Sequence, residues 1–176
     1  VPVLIVCAAI AVHWRTKPPA YIAQNLSAIH APQISQLILR QDGKLIHLSK
    51  SEKNWTLKNY NDYPVDPVLA ENILRSLNGI KTNGVQAWGK EKIAESNLDP
   101  ESPGAMRLQL RDGSNKIAAD WVLGREIGYQ EFLARETSSD QIQSLHIPQT
   151  LKADLKYWIA DFWLGADRLD WDKIAI

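Results

Sequence analysis

The chain has 176 residues and balances 20 lysines and arginines against 20 aspartates and glutamates. With no basic excess and no run of Lys/Arg, it lacks the electrostatic footprint of a nucleic-acid binder. A single cysteine excludes a disulfide framework and a thiolate metal site.

The first element is an uninterrupted apolar run, Val1 to Val12, closed by His13-Trp14-Arg15-Thr16-Lys17. A membrane-spanning helix needs about 20 apolar residues, and the visible run is shorter. It opens on Val rather than Met, so a few apolar residues upstream would complete a span. We expect residues 1–16 to form a membrane anchor. Val3, Leu4, Ile5, Val6, Ile10 and Val12 would meet lipid, and Trp14 would sit at the interface. Two other readings stay open. A cleaved secretory signal wants a small-x-small site, which does not follow cleanly. A buried core helix would show a polar face, and this run shows none. Cys7 follows Val6 where a lipoprotein cysteine wants a small residue. Arg15 and Lys17 on the C-terminal flank favour a cytoplasmic body by the positive-inside rule. Residues upstream could reverse that count, so charge alone leaves the orientation open. Pro18 and Pro19 end any helix, and residues 17–33 read as a connector.

The soluble body is expected over residues 34–176. Ile34–Arg40 and Lys44–Lys50 are β-prone and flank Gln41-Asp42-Gly43, a hairpin turn. A third strand, Asn54–Lys58, puts Trp55 and Leu57 on one side by the two-residue period. From Asp66 the period becomes helical, with Leu69, Ile73, Leu74, Leu77 and Ile80 on one stripe. Asp66 suits the N-cap and Pro67 the first helical position. Glu71 and Arg75, four apart, would pair on the wet face. Lys81–Gly104 shows no clear period, apart from a short helix over Lys90–Asn97.

A second unit repeats the outline. Met106, Leu108 and Leu110 alternate with Arg107, Gln109 and Arg111, a half-buried strand turned by Asp112-Gly113. Ile117, Ala119, Trp121 and Leu123 return. Phe132–Arg135 and Gln141–His146 form a second hairpin around Ser138-Ser139-Asp140. A final helix is expected from about Pro148, with Leu151, Leu155, Trp158, Ile159 and Phe162 on its stripe, and Lys173–Ile176 resembles the start of another strand. Strands followed by a helix, twice, predict an α+β fold. It would have antiparallel hairpins with helices on one face, weakly repeated over about 34–82 and 105–176.

Several short motifs share an order with a known family. They are Leu45-Ile46-His47-Leu48, Asn54-Trp55-Thr56-Leu57, Tyr63-Pro64-Val65-Asp66, Asn97-Leu98-Asp99-Pro100, Asp112-Gly113, Val122-Leu123-Gly124 and the late helix Leu151–Trp163. Together they resemble the bacterial family called domain of unknown function 4340, over roughly Ile34 to Ile176. The resemblance implies a single N-terminal anchor in the inner membrane and strand-helix modules outside it. It also implies partners among transport components of the ATP-binding-cassette (ABC) or gliding-motility type. The family has no established catalytic residues, so none carry over.

The chemistry-bearing residues form no recognised constellation. His13, His30, His47 and His146 are scattered. Asp161, Asp167, Asp170 and Asp172 read as a solvated helix end rather than a calcium loop, which needs a central glycine. There is no Gly-x-Ser-x-Gly elbow and no glycine-rich phosphate loop. Seven tryptophans are the unusual count. Trp55, Trp121 and Trp158 fall on apolar faces, whereas Trp88 and Trp163 flank breakers and are candidate contacts for a ligand or partner. The expectation is a non-catalytic, single-pass inner-membrane protein with a periplasmic body. It would need no cofactor or metal and bind no nucleic acid. It would bind other envelope or transport proteins. The alternative is a glycan- or peptide-binding module using the exposed tryptophans.

Overall fold

A computed structural model of the chain describes residues 33–159, except residues 53, 79, 148 and 149. The expected anchor at 1–16, nearly all of the connector, Trp163 and the final strand start lie outside the described residues.

The strands are β1 (Ile34–Gln41), β2 (Lys44–Ser51), β3 (Asn54–Leu57), β4 (Tyr63–Pro64), β5 (Lys81–Trp88), β6 (Met106–Asp112), β7 (Ile117–Gly128), β8 (Glu131–Glu136) and β9 (Gln141–His146). All pairings are antiparallel, in one sheet of order β4-β3-β2-β1-β6-β7-β8-β9-β5. Three helices accompany it: α1 (Pro67–Asn78), α2 (Lys90–Glu95) and α3 (Leu155–Trp158). The protein is therefore mostly β. Two meanders, β1–β4 and β6–β9, join edge to edge through β1 and β6.

Local chemistry explains the elements. Asp42 (φ 49°) and Gly43 (φ 75°) both lie in the left-handed region, as a two-residue type I′ hairpin turn requires. At the head of α1 the Asp66 carboxylate accepts from the N–H of Val68 at 2.8 Å and of Leu69 at 3.2 Å, the N-cap arrangement. Ala70, Ile73, Leu74 and Leu77 are buried along one side of that helix. They meet Leu37, Leu39, Ile46, Leu48, Trp55, Leu57, Leu108, Leu110, Trp121 and Leu123, the inward positions of the strands. Trp158 closes this core and gives its indole N–H to the Lys152 carbonyl at 2.7 Å.

Four expectations need correction. The helices do not share one face. The residues of α2 and the loop after it, Ile93 and Leu98, pack with Val122 and Ile142 in a separate core. Val122 sits between Trp121 and Leu123 on β7, so this core lies on the opposite side of the sheet. Second, Lys81–Trp88 is not irregular but forms the edge strand β5 on β9. Gly84 has φ 78° and the register shifts twice along this pair. Those bulges destroy the alternation that marks a strand in sequence. Third, the late helix starts at Leu155, not near Pro148, because Asp154 caps it by accepting from the Lys156 N–H at 3.0 Å. Fourth, Glu71 makes no ion-pair contact with Arg75, whose charge is only a lesser influence on it. It reaches the sheet and accepts from Lys50 Nζ at 2.7 Å and Trp55 Nε1 at 3.0 Å.

Candidate functional site

α1 covers one face of the sheet, and α2 covers only the β7–β9 half of the other. The remaining surface, over β2, β1, β6 and the start of β7, carries the outward positions of four strands. Their register builds a lattice of side chains. Arg40 lies opposite Arg107, Ile38 opposite Gln109, and Gln36 opposite Arg111 across β1 and β6. His47 flanks Ile38 on β2, and Asp120 flanks Gln109 on β7.

Asp120 is the organising group. Its carboxylate accepts from Arg107 Nε at 2.9 Å and Nη2 at 2.6 Å, from Gln109 Nε2 at 3.0 Å and from Thr137 Oγ1 at 2.9 Å. Burial pushes this carboxyl upward, but the bonds from Arg107, Thr137 and Gln109 outweigh it and hold it below the usual carboxylate range. A carboxylate saturated by four donors is a poor proton acceptor, so Asp120 is a fixed counter-charge rather than a general base. Gln109 passes the order onward, because its Oε1 accepts from Arg111 Nε at 2.9 Å. Arg111 also donates to the Asn115 side chain at 3.1 Å.

Arg40 is different. It is exposed and makes no hydrogen bond or ion pair among the described residues. Side chains directly opposite in an antiparallel pair have Cβ atoms roughly 4.5–5.5 Å apart, and like charges there are destabilising. Arg40 and Arg107 thus occupy opposed positions, and the Arg107 guanidinium is turned to Asp120 on β7 and feels the charge of Glu101 as well. His47 adds to the picture. Its Nε2 lies 3.0 Å from Gln36 Oε1, and burial, then the charges of Arg111, Lys58 and Arg40, push its pKa down.

The surface is concave here. Ile38, Arg40, Arg107, Gln109 and Arg111 line a depression of 150 Å³. It shares Arg40 and Arg107 with a wider trough of 390 Å³ that continues past Lys44, Leu45, Pro100 and Glu101. The depression suits one oxyanion group rather than a whole ligand.

No family model, curated protein or solved structure matches this chain.

The tryptophans divide as follows. Trp55, Trp121 and Trp158 are core, at 1%, 4% and 0% exposed. Trp88 is the last residue of β5 rather than part of a linker, and Trp163 lies outside the described residues. His47 and His146 sit on β2 and β9, near opposite ends of the sheet order. The arginines were not singled out by sequence, because each occupies an ordinary wet position of its own strand. In sequence, Arg40, Arg107 and Arg111 are marked only as outward residues of two strands that lie far apart in the chain.

An apolar cavity of 160 Å³, walled by Met106, Leu123, Phe132, Ile147 and Leu151 among others, is smaller than the roughly 300–1,000 Å³ of ligand pockets. Among the described residues no helix is long and apolar enough to cross a membrane.

Proposed function

We propose that this chain is a non-catalytic, membrane-tethered envelope domain that works by binding other proteins. In this reading residues 1–16 supply the anchor helix and the body lies on the periplasmic side of a bacterial inner membrane. The domain is an accessory component of a transport assembly of the ABC or gliding-motility type. The supporting observation is the sheet face that no described helix covers, where Arg40 lies opposite Arg107 with no hydrogen bond or ion pair among the described residues. Such an arrangement costs stability in isolation and is offset when a partner supplies negative charge. The apolar run ahead of Trp14, Arg15 and Lys17 supports the tether.

The test has two arms. Protease added to spheroplasts should digest the body, and a fully protected body overturns the periplasmic placement. The chain should also enter the detergent phase on phase separation, and recovery in the aqueous phase with residues 1–16 intact overturns the tether.

A further inference from the structure

We propose that the trough over β1 and β6 docks a carboxylate-rich, extended segment of a partner protein, with Arg40 and Arg111 gripping its acidic side chains across Ile38. This deepens the protein-binding reading above and rests on it.

Three observations carry the assignment. The first is the donor set. Each guanidinium has five N–H donors in a planar fork that matches carboxylate geometry. Arg40 spends none of them among the described residues, and the bonds named for Arg107 and Arg111 leave both with donors to spare. The second is that the site already shows its preferred chemistry. Arg107 grips Asp120 through Nε and Nη2 in the forked arrangement, so a second carboxylate beside Arg40 repeats a bond that this surface makes internally. The third is spacing and floor. Arg107 and Arg111 are four residues apart on β6, about 14 Å at strand rise. An extended partner presents its own i and i+4 side chains at that interval. Ile38 is half-buried between the arginines and offers an apolar seat for the methylene stem of a glutamate.

The same trough carries Glu101, whose charge acts on Arg107, and the turn beside it carries Asp42, whose carboxylate accepts from the Gly104 N–H at 2.8 Å. Negative charge on the partner is therefore wanted at the Arg111–Arg40 end, and not along the whole trough. That asymmetry fits a segment lying in one direction better than a flat anionic membrane, which would press against Glu101 as well.

The test measures binding of the full 176-residue chain to a fluorescent peptide of alternating glutamate and threonine. Its glutamine–threonine counterpart and vesicles of phosphatidylglycerol and phosphatidylcholine serve as the other probes. Arg40→Gln is the decisive variant, since Arg40 makes no hydrogen bond or ion pair among the described residues and its removal relieves the opposition to Arg107. Arg75→Gln, exposed on α1 behind the sheet, is the control. The acidic peptide should bind, weaken with salt, and lose about tenfold in affinity in Arg40→Gln but not in Arg75→Gln. Proton NMR of His47 gives an independent readout. The imidazole is faced by Arg111, Lys58, Arg40 and Gln36, with Asp62 engaged by Lys58. A bound carboxylate offsets those cations, so its titration should move to higher pH when peptide is added.

Absence of peptide binding overturns the proposal, as does equal binding by Arg40→Gln. Arginine-dependent capture of the vesicles without the peptide overturns it in favour of lipid. A photo-crosslinker placed at Ile38 or at the exposed Val68 in cells separates the two readings. Protein adducts from position 38 that vanish in Arg40→Glu support both. Adducts from position 68 alone remove the trough and leave the binding module standing. Adducts from neither remove both.

Discussion

The carboxylate of Glu71 on α1 accepts a hydrogen bond from the indole N–H of Trp55 on β3, at 3.0 Å. The same oxygen takes Lys50 Nζ at 2.7 Å, and that ammonium lies 5.5 Å from the centre of the Trp55 ring. Helix, sheet and cation thus meet at one oxygen above a tryptophan that is 1% exposed. Glu71→Ala removes the acceptor for the indole and is expected to lower unfolding free energy by about 1–2 kcal/mol. Glu71→Gln keeps an acceptor and should lose about half as much. Urea denaturation of the two variants checks the order. Equal losses would mean that the charge, and not the bond to Trp55, is what matters.

Asp120 is expected to contribute to the acid limit of the sheet. Its folded pKa lies below the unfolded one, held there by Arg107, Thr137 and Gln109 against the opposing effect of burial. The stability it contributes is therefore complete above its unfolded value of about 3.9 and is lost as pH falls through the lower folded value. Asp120→Asn turns an amide N–H toward donors of Arg107 or Gln109, and should destabilise by about 2–3 kcal/mol at neutral pH. Its melting temperature should also fall less steeply below pH 4 than that of the parent. Thermal melts across pH 2.5–7 measure both, and parallel curves would remove Asp120 from the acid transition.

What was legible in the sequence followed the strength of the local period. Trp55 and Leu57, and Met106, Leu108 and Leu110, alternate cleanly and are buried as expected, and Leu37, Leu39, Ile46 and Leu48 follow the same two-residue period into the core. The stripe and cap of α1 were equally plain. β5 was hidden by its own bulges at Gly84, and α2 gave no sign of which face it would cover. The arginine face was hidden for a deeper reason. Arg40 and Arg107 look solvated within their own strands, and only the pairing of β1 with β6, distant in the chain, sets them side by side. Glu71 was misassigned because helix spacing offered Arg75, whereas the fold offered Lys50 and Trp55.

Gly124 on β7 is required for close approach rather than for backbone freedom. A Cβ built there would lie 2.9 Å from Leu98 Cδ2 and 3.2 Å from the Asn97 carbonyl oxygen, and would press on the carbonyl of Ser96. Two of these three contacts are backbone atoms, so the loop after α2 has to move. Gly124→Ala should cost about 1–3 kcal/mol. Gly113, with nothing within 4 Å of its Cβ position and no positive φ, should accept alanine with little change. Denaturant midpoints for the pair provide the measurement. A neutral Gly124→Ala would show that α2 and its loop are not pressed against β7.

Arg135 ties the same loop to the β8–β9 turn. It is 9% exposed, and its Nε donates to the Leu98 carbonyl at 2.7 Å. Its Nη1 reaches the carbonyls of Glu136, Thr137 and Ser139 at 3.1–3.3 Å. No carboxylate among the described residues shares an ion pair with it, so backbone oxygens from two segments solvate the charge. Lysine concentrates its donors on a single nitrogen and cannot serve Leu98 and the turn together. Arg135→Met fills the volume but leaves those carbonyls without their donor, and should cost about 2–3 kcal/mol. Arg135→Lys should recover only part of that. Hydrogen exchange gives the sharper test. Loss of Arg135 should speed exchange at Leu98 and in the Thr137–Gln141 turn by the same factor, because one side chain closes both. Faster exchange in the turn alone would show that the bond to Leu98 does not hold the loop, and that α2 is secured by the packing of Ile93 and Leu98 instead.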